Sequence, residues 1–323
     1  MHNTEDYRPS IFLRSPNVQT ILASSKLRNL YCRGFETKAE RIVLRAGENL
    51  KTTAYVNIHP DPKGMIVLLH GWLGRPQSSY MLSAAKRLFD AGFSTARLTL
   101  PEHAEAALMN GEVVPITRHD FVREAIQNLI VSTPSLPIGV MGFSLGGNVA
   151  LRIARDMRYA PISQLKHVFA VSPAIDPEST GAMIDTNPVF RRYFMRKMSK
   201  LYRMKIKLFP NLAYMSNILN HKTTLGVTEA FVSYLPEFAN LREYFDAYRI
   251  NVGDFTASPI PVTLISSDDD PIVLSGPARA LREGSNFEKI ITQYGGHNGF
   301  FNRSLGDVLS ERVVADRFLF SLK

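Results

Sequence analysis

A glycine-flanked serine is the first residue whose setting favours chemistry. Residues 142–147 read Gly-Phe-Ser-Leu-Gly-Gly, directly after a predicted strand and directly before a predicted helix. A strand–turn–helix of this kind is so tight that glycine is needed two residues before and after the serine, and Gly142 and Gly146 stand there. The turn lifts the Ser144 hydroxyl above the sheet and points the Leu145 amide at a developing oxyanion. We therefore predict that Ser144 is a nucleophile and that Leu145 is an oxyanion donor.

A second oxyanion donor is expected in the loop that follows the third strand. Residues 70–74 read His-Gly-Trp-Leu-Gly at the end of an apolar run. We assign this donor to the Trp72 amide, with Gly71 allowing a close backbone approach. The Trp72 ring can also serve as a core anchor, because the donor belongs to the backbone. His70 is expected to support the loop, and we include it among the candidate substrate-binding residues.

A serine hydroxyl needs an adjacent base to act as a nucleophile at neutral pH, and histidine is the usual one. Of the eight histidines, only His297 has glycines on both sides of its loop and follows the last predicted strand. It also lies downstream of the serine, as the order serine, acid, histidine requires. We predict that His297 is the base. His103 and His119 flank the loop after the fourth strand, and His103 is a second candidate substrate-binding residue.

The acid that orients the histidine is expected among three adjacent aspartates. Asp268, Asp269 and Asp270 follow a predicted strand, and Pro-Ile-Val comes next. The carboxyl ends of parallel strands share one edge of a sheet, so these residues should meet the serine and the histidine there. We predict Asp270 as the acid, with Asp269 as the first alternative and Asp176, after the sixth strand, as a further one.

Alternating strands and helices must hold these residues in place. The pattern predicts a doubly wound α/β sheet, and with the elbow it predicts the α/β-hydrolase fold, a mostly parallel twisted sheet with helices on both faces. Strands are expected at 41–46, 50–57, 64–70, 94–100, 137–143, 165–172, 261–267 and 287–294, and helices at 79–90, 120–132, 145–157, 275–283 and 306–322.

The alternation stops between the sixth strand and the next one. Residues 173–258 are rich in Met, Phe and Tyr and mostly helical in pattern, which favours a helical lid inserted into the sheet domain. We predict a core made of residues 41–172 and 259–323, and an N-terminal segment, 1–40, that packs on this core.

One helix of the predicted lid is strongly basic. Residues 190–209 carry eight cations and no acidic residue, against a net charge of +9 for the chain. Phe190, Phe194, Met198, Leu201 and Leu208 recur at helical spacing, whereas Arg192, Arg196, Arg203 and Lys207 fall on the other side. Two interpretations remain open: the helix contacts an anionic membrane peripherally, or it is a solvated cover over the active site.

Composition excludes several other classes of protein. With one cysteine, Cys32, the chain has no disulfide framework and no cysteine-based metal cluster. There is no zinc-finger spacing, RNP-like motif or Walker A loop, so we expect no nucleic acid, no metal and no cofactor. The N-terminus lacks the apolar region of a signal peptide, and no apolar run is long enough to span a bilayer. A cytoplasmic protein is expected, with peripheral membrane contact as an option.

These residues together resemble the YheT-like branch of the α/β-hydrolases, which includes abhydrolase-domain esterases. The resemblance covers nearly the whole chain. The run Pro-Asn-Val-Gln-Thr-Ile-Leu at residues 16–22 is similar to a run ahead of the first strands in that branch. The segments around Trp72, Ser144, Asp270 and His297 are similar as well.

The resemblance implies hydrolysis of carboxylic esters, with acylglycerols or phospholipids as substrates in parts of the branch. It implies Ser144, Asp270 and His297 as the catalytic residues. The chain departs from relatives after the fourth strand, where it reads Leu-Pro-Glu-His-Ala at residues 100–104. That departure concerns the substrate pocket. The alternatives to a small-ester hydrolase are a lipase or phospholipase at a membrane surface, and a non-catalytic binding protein that reuses the fold.

Overall fold

The computed structural model describes residues 7–131 and 136–323. Its centre is an eight-stranded sheet with the order β1-β2-β4-β3-β5-β6-β7-β8. Strands β3 to β8 are parallel, and β1 and β2 are joined to them by antiparallel pairing. The strands are β1 Glu40–Arg45, β2 Lys51–Asn57, β3 Met65–Leu69, β4 Ser94–Leu98, β5 Ile138–Phe143, β6 Leu165–Val171, β7 Val262–Ser267 and β8 Phe287–Thr292.

The central strands are buried on both faces, as continuous apolar runs in a parallel sheet should be. In β3, Met65, Val67 and Leu69 join the apolar cluster on one face. Ile66 and Leu68 join the cluster on the opposite face. This alternation follows from the two-residue period of a strand, and it gives helices on both sides a surface to pack against.

Helices cover both faces of the sheet. Helices α4 and α5 contribute to one cluster, and α2 and α11 contribute to the other. The helices are α1 Pro16–Ser24, α2 Ser79–Asp90, α3 Ala104–Met109, α4 His119–Val131, α5 Leu145–Asp156, α6 Pro177–Thr186, α7 Pro188–Leu208, α8 Thr224–Val232, α9 Leu241–Asp246, α10 Ser275–Ala280 and α11 Leu309–Ser321. The α/β-hydrolase fold predicted from the sequence is confirmed.

Where a helix or strand was predicted, the differences lie at its ends, but helices α1 and α3 were not predicted. The predicted helix 275–283 ends at Ala280, because Leu281 has an extended backbone. The predicted strand 287–294 ends at Thr292. The segment between β6 and β7 holds helices α6 to α9 and a 3-10 helix, Pro210–Asn220. We call residues 173–258 the insertion, and its role as a lid stays a prediction.

The N-terminal segment packs against the last helix of the core. Its 3-10 helix Lys26–Cys32 places Arg28 against Glu311 of α11, with 2.5 Å between Nη2 and Oε1 and both side chains buried. Ser83 of α2 donates a second hydrogen bond to the same carboxylate oxygen at 2.6 Å. A buried charge that has a partner is far less costly than an isolated one, so this pair fixes the segment to one position. Within the described ranges, no helix is long and apolar enough to cross a membrane.

Candidate active site

Ser144 lies on a strained turn between β5 and α5. Its backbone has φ +53° and ψ −116°, a conformation that residues other than glycine rarely adopt. A Cβ on Gly142 would lie 2.1 Å from the Gly146 carbonyl oxygen, and one on Gly146 would lie 2.4 Å from the Leu69 carbonyl oxygen. Only glycine fits at both positions, which is the geometry that the sequence pattern predicts. The turn raises the Ser144 side chain above the carboxyl edge of the sheet.

His297 and Asp270 form a hydrogen-bonded pair at the same edge. His297 Nδ1 lies 2.8 Å from Asp270 Oδ2. The other carboxylate oxygen, Oδ1, accepts hydrogen bonds from the amides of Ile272 and Val273 at 2.8 and 2.9 Å. The Asp270 side chain is fully buried. Three donors therefore hold this carboxylate in one orientation, which in turn fixes the imidazole ring.

The other candidate acids make different contacts. Asp268 is half exposed and pairs with Arg279 at 2.6 Å, which lowers the pKa of its carboxyl. Asp269 accepts the Gly296 amide at 2.9 Å through Oδ1, and burial raises the pKa of its carboxyl. Asp176 pairs with Arg249 of the insertion. Among these four aspartates, only Asp270 is bonded to the His297 ring.

The loop after β3 runs beside the serine. A Cβ on Gly71 would lie 3.1 Å from the Ser144 Cβ, so the loop backbone passes close to Ser144. The Gly71 amide donates to the buried Tyr80 hydroxyl at 3.0 Å, and burial raises the pKa of Tyr80 to about 12. Within residues 7–131 and 136–323, the amides of Trp72 and Leu145 have no hydrogen-bond acceptor. Two free amides beside a serine are what an oxyanion hole requires.

The two histidines assigned to substrate binding have different surroundings. His70 is fully buried, its Nδ1 lies 2.9 Å from the Gly71 carbonyl oxygen, and its Nε2 accepts the Leu100 amide at 3.1 Å. These contacts suit support of the loop, as the sequence suggested. Burial lowers the pKa of His70 to about 3, so the ring is neutral. His103 lines the cavity beside Ser144, and burial lowers the pKa of its ring to about 4.

Ser144 lines two cavities that share part of their walls. We call the first the outer cavity, with a volume of about 400 Å³, and Ser144, His297 and Asn298 share its wall with α1 and α7. The second, the inner cavity, has a volume of about 120 Å³ and extends under the insertion. Its wall is largely apolar, and the apolar residues include Ile116, Leu145, Ile184, Met198, Leu201, Val227, Phe231, Phe245 and Ile272. Trp72 lines both cavities and stacks on Phe194, with 5.2 Å between ring centroids.

Two residues that the sequence reasoning did not single out position the histidine loop. The Thr20 hydroxyl accepts the His297 amide at 2.9 Å. The Gln19 side chain bonds both the amide and the carbonyl of Phe301, each at 2.9 Å. Both residues belong to the Gln-Thr pair in the N-terminal run, so the signal was present in the motif. Its role could not be read because the contacts join residues almost 280 positions apart.

A buried ion pair was also missed, and it corrects the prediction for the basic helix. Lys205 is buried and donates to a carboxylate oxygen of Glu102 and to the Glu112 carbonyl oxygen at 2.8 Å. It was counted among the eight cations of residues 190–209 but does not belong to the solvated face. Leu208, predicted to face inward, is 54% exposed. The helix ends at Leu208, whose side chain points away from the core, whereas the adjacent Ile206 and Phe209 pack against it.

Comparison with known proteins gives the family. The model of the alpha/beta hydrolase family matches residues 66–311, about three quarters of the chain. This match includes every residue of the site except those of the N-terminal segment. The chain belongs to the alpha/beta hydrolase family, and it is a hydrolase by fold and family.

Individual relatives are distant. Human phospholipase ABHD3 is 22% identical over 317 residues, covering 92% of this chain and 74% of the relative. An esterase of Pyrococcus furiosus is 18% identical, with a TM-score of 0.56 over 88% of this chain and 90% of that one. Est1E from Butyrivibrio proteoclasticus is 14% identical, with a TM-score of 0.51 over 87% and 98% of the two chains. These structural likenesses establish the fold, and the YheT-like branch stays a prediction.

Proposed function

We propose that this protein is a serine hydrolase that cleaves carboxylic esters through Ser144, His297 and Asp270. The observation that carries the proposal is the 2.8 Å bond between His297 and the buried Asp270 carboxylate, with Ser144 and His297 on the wall of one cavity. A nucleophile, a base and an acid that orients the base are the parts that acyl transfer needs. The names of the esterase and phospholipase relatives point to the same class of bond.

The reaction passes through an acyl-enzyme. His297 removes the proton of Ser144 as its oxygen attacks the ester carbonyl carbon, and the Trp72 and Leu145 amides stabilise the oxyanion that forms. Collapse of this intermediate breaks the bond to the alcohol, which leaves with the proton held by His297. Water, deprotonated by the same histidine, then attacks the acyl carbon. The bond from this carbon to the Ser144 oxygen breaks as His297 returns the proton to that oxygen, and the acid leaves. Asp270 holds the ring in the tautomer that both steps need.

The inner cavity indicates which part of the substrate is apolar. Its wall of aliphatic and aromatic side chains suits an acyl chain, and each methylene that it buries contributes about 0.8 kcal/mol. His103 lies in this wall, and its buried Nε2 has no partner among the described residues, so we propose it as a contact for the substrate near the ester. The outer cavity also has polar and basic residues in its wall, among them Lys26, Arg75 and Lys197, and we assign the alcohol and its head group to it.

Covalent labelling tests the proposal and separates it from the alternative of a binding protein. We expect a fluorophosphonate probe to modify the wild-type protein once, with mass spectrometry locating the adduct on Ser144. The Ser144→Ala variant should take no label and lose about 10⁴-fold or more in kcat on p-nitrophenyl esters, with unchanged thermal unfolding. A folded Ser144→Ala protein that keeps a tenth of the wild-type activity would show that another residue does the chemistry.

A further inference from the structure

The mouth of the outer cavity exposes apolar side chains from two separate segments. Ile21 of α1 is 60% exposed, and Val189 and Tyr193 of α7 are 69% and 45% exposed. All three line the outer cavity that also contains Ser144 and His297. Scattered single apolar residues on a surface need no explanation, but apolar side chains gathered at the entrance of a site mark a surface for contact.

The same mouth is basic. Lys26, Arg75 and Lys197 line the outer cavity, and no aspartate or glutamate lies among its described lining residues. A shallow groove along α7 continues from the mouth, sharing Val189, Tyr193 and Lys197 with it. The groove adds six cations and, among the residues described, no carboxylate: Arg191, Arg192, Arg196, Lys200, Arg203 and Lys222. We call the mouth and this groove together the mouth surface.

Several cations on other parts of the molecule pair with neighbouring carboxylates. Ion pairs join Arg41 to Glu105, Arg118 to Asp120, Arg279 to Asp268 and Arg317 to Glu288. By contrast, Arg192, Arg196, Lys200 and Arg203 form no ion pair with any residue in the described ranges. Four unpaired cations on one helix face repel each other, and an anionic partner against this face would relieve the repulsion.

The buried Lys205 sets which face of α7 points outward. Its bond to Glu102 and the burial of Phe190, Phe194 and Met198 fix the roll of the helix. The unpaired cations then face solvent, and exposed Val189, Tyr193, Met204 and Leu208 lie along their border. A helix with a basic stripe beside an apolar edge is typical of segments that lie in the interface of a membrane.

We propose that the mouth surface docks on an anionic phospholipid bilayer. The cations contact phosphate head groups, and Ile21, Val189 and Tyr193 enter the boundary between head groups and acyl chains. Docking in this way opens the outer cavity toward the lipid, so that a lipid ester reaches Ser144 without crossing water. This proposal rests on the charge and the exposed apolar side chains of the mouth surface, not on the catalytic proposal. Docking can therefore be measured with an inactive protein.

Vesicle flotation tests this docking. Full-length Ser144→Ala protein is mixed with vesicles of phosphatidylglycerol and phosphatidylcholine, or of phosphatidylcholine alone. We expect binding to the anionic vesicles at low salt, release as salt rises above physiological concentration, and little binding to neutral vesicles. Absence of binding to anionic vesicles at low salt would overturn the proposal. Because the Ser144→Ala protein is used, this result says nothing against the hydrolase proposal.

Matched triple variants show whether the mouth surface is responsible. Arg192→Gln, Arg196→Gln and Arg203→Gln together should weaken binding to anionic vesicles about 100-fold. Lys63→Gln, Arg158→Gln and Lys166→Gln remove the same net charge near the amino ends of the strands, at the opposite edge of the sheet, and should change binding less than threefold. Equal losses in both variants would mean that only net charge matters, and the proposal would fail.

A soluble phosphate compound is the alternative partner for the cations of the mouth surface. Glycerol 3-phosphate or glycerophosphocholine at millimolar concentration, at constant ionic strength, should leave vesicle binding unchanged if a bilayer is the partner. Displacement by either compound would show that the groove binds a soluble phosphate, which would overturn the proposal of membrane docking. Substituting Ile21 and Val189 by Ser should also weaken binding, since insertion of apolar side chains adds to the charge attraction.

Discussion

The strand-end loops and the insertion hold the two sides of the site by different kinds of contact. At the strand ends, backbone groups do most of the positioning: two amides hold Asp270, and the Gly296 amide binds Asp269. In the insertion, single side chains bridge distant segments, as Lys205 does with Glu102 and Asp185 does with the amides of Thr224 and Leu225. Backbone donors at the strand ends stay in place when side chains change, whereas the bond between Lys205 and Glu102 is lost when either side chain is replaced.

The largest expected effect is a difference in kcat among variants of the three adjacent aspartates. These variants test whether one aspartate at the strand end is required for activity. Asp270→Asn should lower kcat by about 10³–10⁴-fold, because an amide at this position no longer holds the His297 ring in the required tautomer. Asp268→Asn should change kcat less than threefold, since the bonding partners of the Asp268 carboxylate within the described ranges are Ser275 and Arg279 only. The measurement is ester hydrolysis by the three folded single variants. We expect the kcat of Asp269→Asn to lie between those of the other two. Severe loss in Asp269→Asn together with near-normal Asp270→Asn would reverse the assignment.

The second largest effect is expected for the buried ion pair between Lys205 and Glu102, which holds the insertion. Lys205→Met should lower the free energy of unfolding by about 3 kcal/mol, because it leaves Glu102 in a buried place without its cation. Burial already raises the pKa of Glu102, so uptake of a proton limits the loss, and adding Glu102→Gln should recover part of it. Urea unfolding measures the effect.

The control for Lys205 lies on the same helix. Lys200→Met removes an exposed cation and should change the free energy of unfolding by less than about 0.5 kcal/mol. In the Lys205→Met protein, activity on long acyl esters should fall more than activity on acetate, because Glu102 lines the inner cavity. Equal stability of the two variants would mean that the pair contributes nothing to holding the insertion.

The same contrast explains what the sequence could predict. The elbow and the histidine loop were predictable because local geometry dictates their residues: glycine is required at Gly142 and Gly146, and Asp270 and His297 each follow a strand. The fold followed from the alternation of buried strands and amphipathic helices. The burial of Lys205 was not predictable, because a lysine on a basic helix reads as solvated until its partner from residue 102 is known.

A third prediction concerns the boundary between the two kinds of contact, where the N-terminal segment supports the histidine loop. Thr20→Val keeps the side-chain shape but removes the acceptor of the His297 amide. Loss of one buried hydrogen bond costs about 1 kcal/mol, and we expect kcat to fall about fivefold to tenfold with little change in KM. Thr20→Ser should restore most of the activity. A loss of stability with unchanged kcat would show that Thr20 only anchors the segment.

The smallest effect comes from His103, which stands where the strand-end side meets the insertion. Burial lowers the pKa of its ring from 6.5 to about 4 in the folded protein, helped by the nearby charge of Lys197. Below pH 6.5 the unfolded chain therefore binds a proton that the folded protein does not bind. The free energy of unfolding therefore decreases as pH falls from 6.5 toward 4. Its slope against pH is steepest between these two values, where the ring is neutral in the folded protein and protonated in the unfolded chain.

Between pH 6 and pH 5 this histidine should account for about 1 kcal/mol of the decrease in the free energy of unfolding. His103→Asn keeps a donor near the Pro101 carbonyl oxygen, which lies 2.6 Å from His103 Nδ1, but has no titrating ring. Urea unfolding at the two pH values should therefore show a decrease about 1 kcal/mol smaller in the variant than in the wild type. If the free energy of unfolding decreased equally in His103→Asn and in the wild type, the His103 ring would be accessible to solvent and would not be part of the buried wall of the inner cavity.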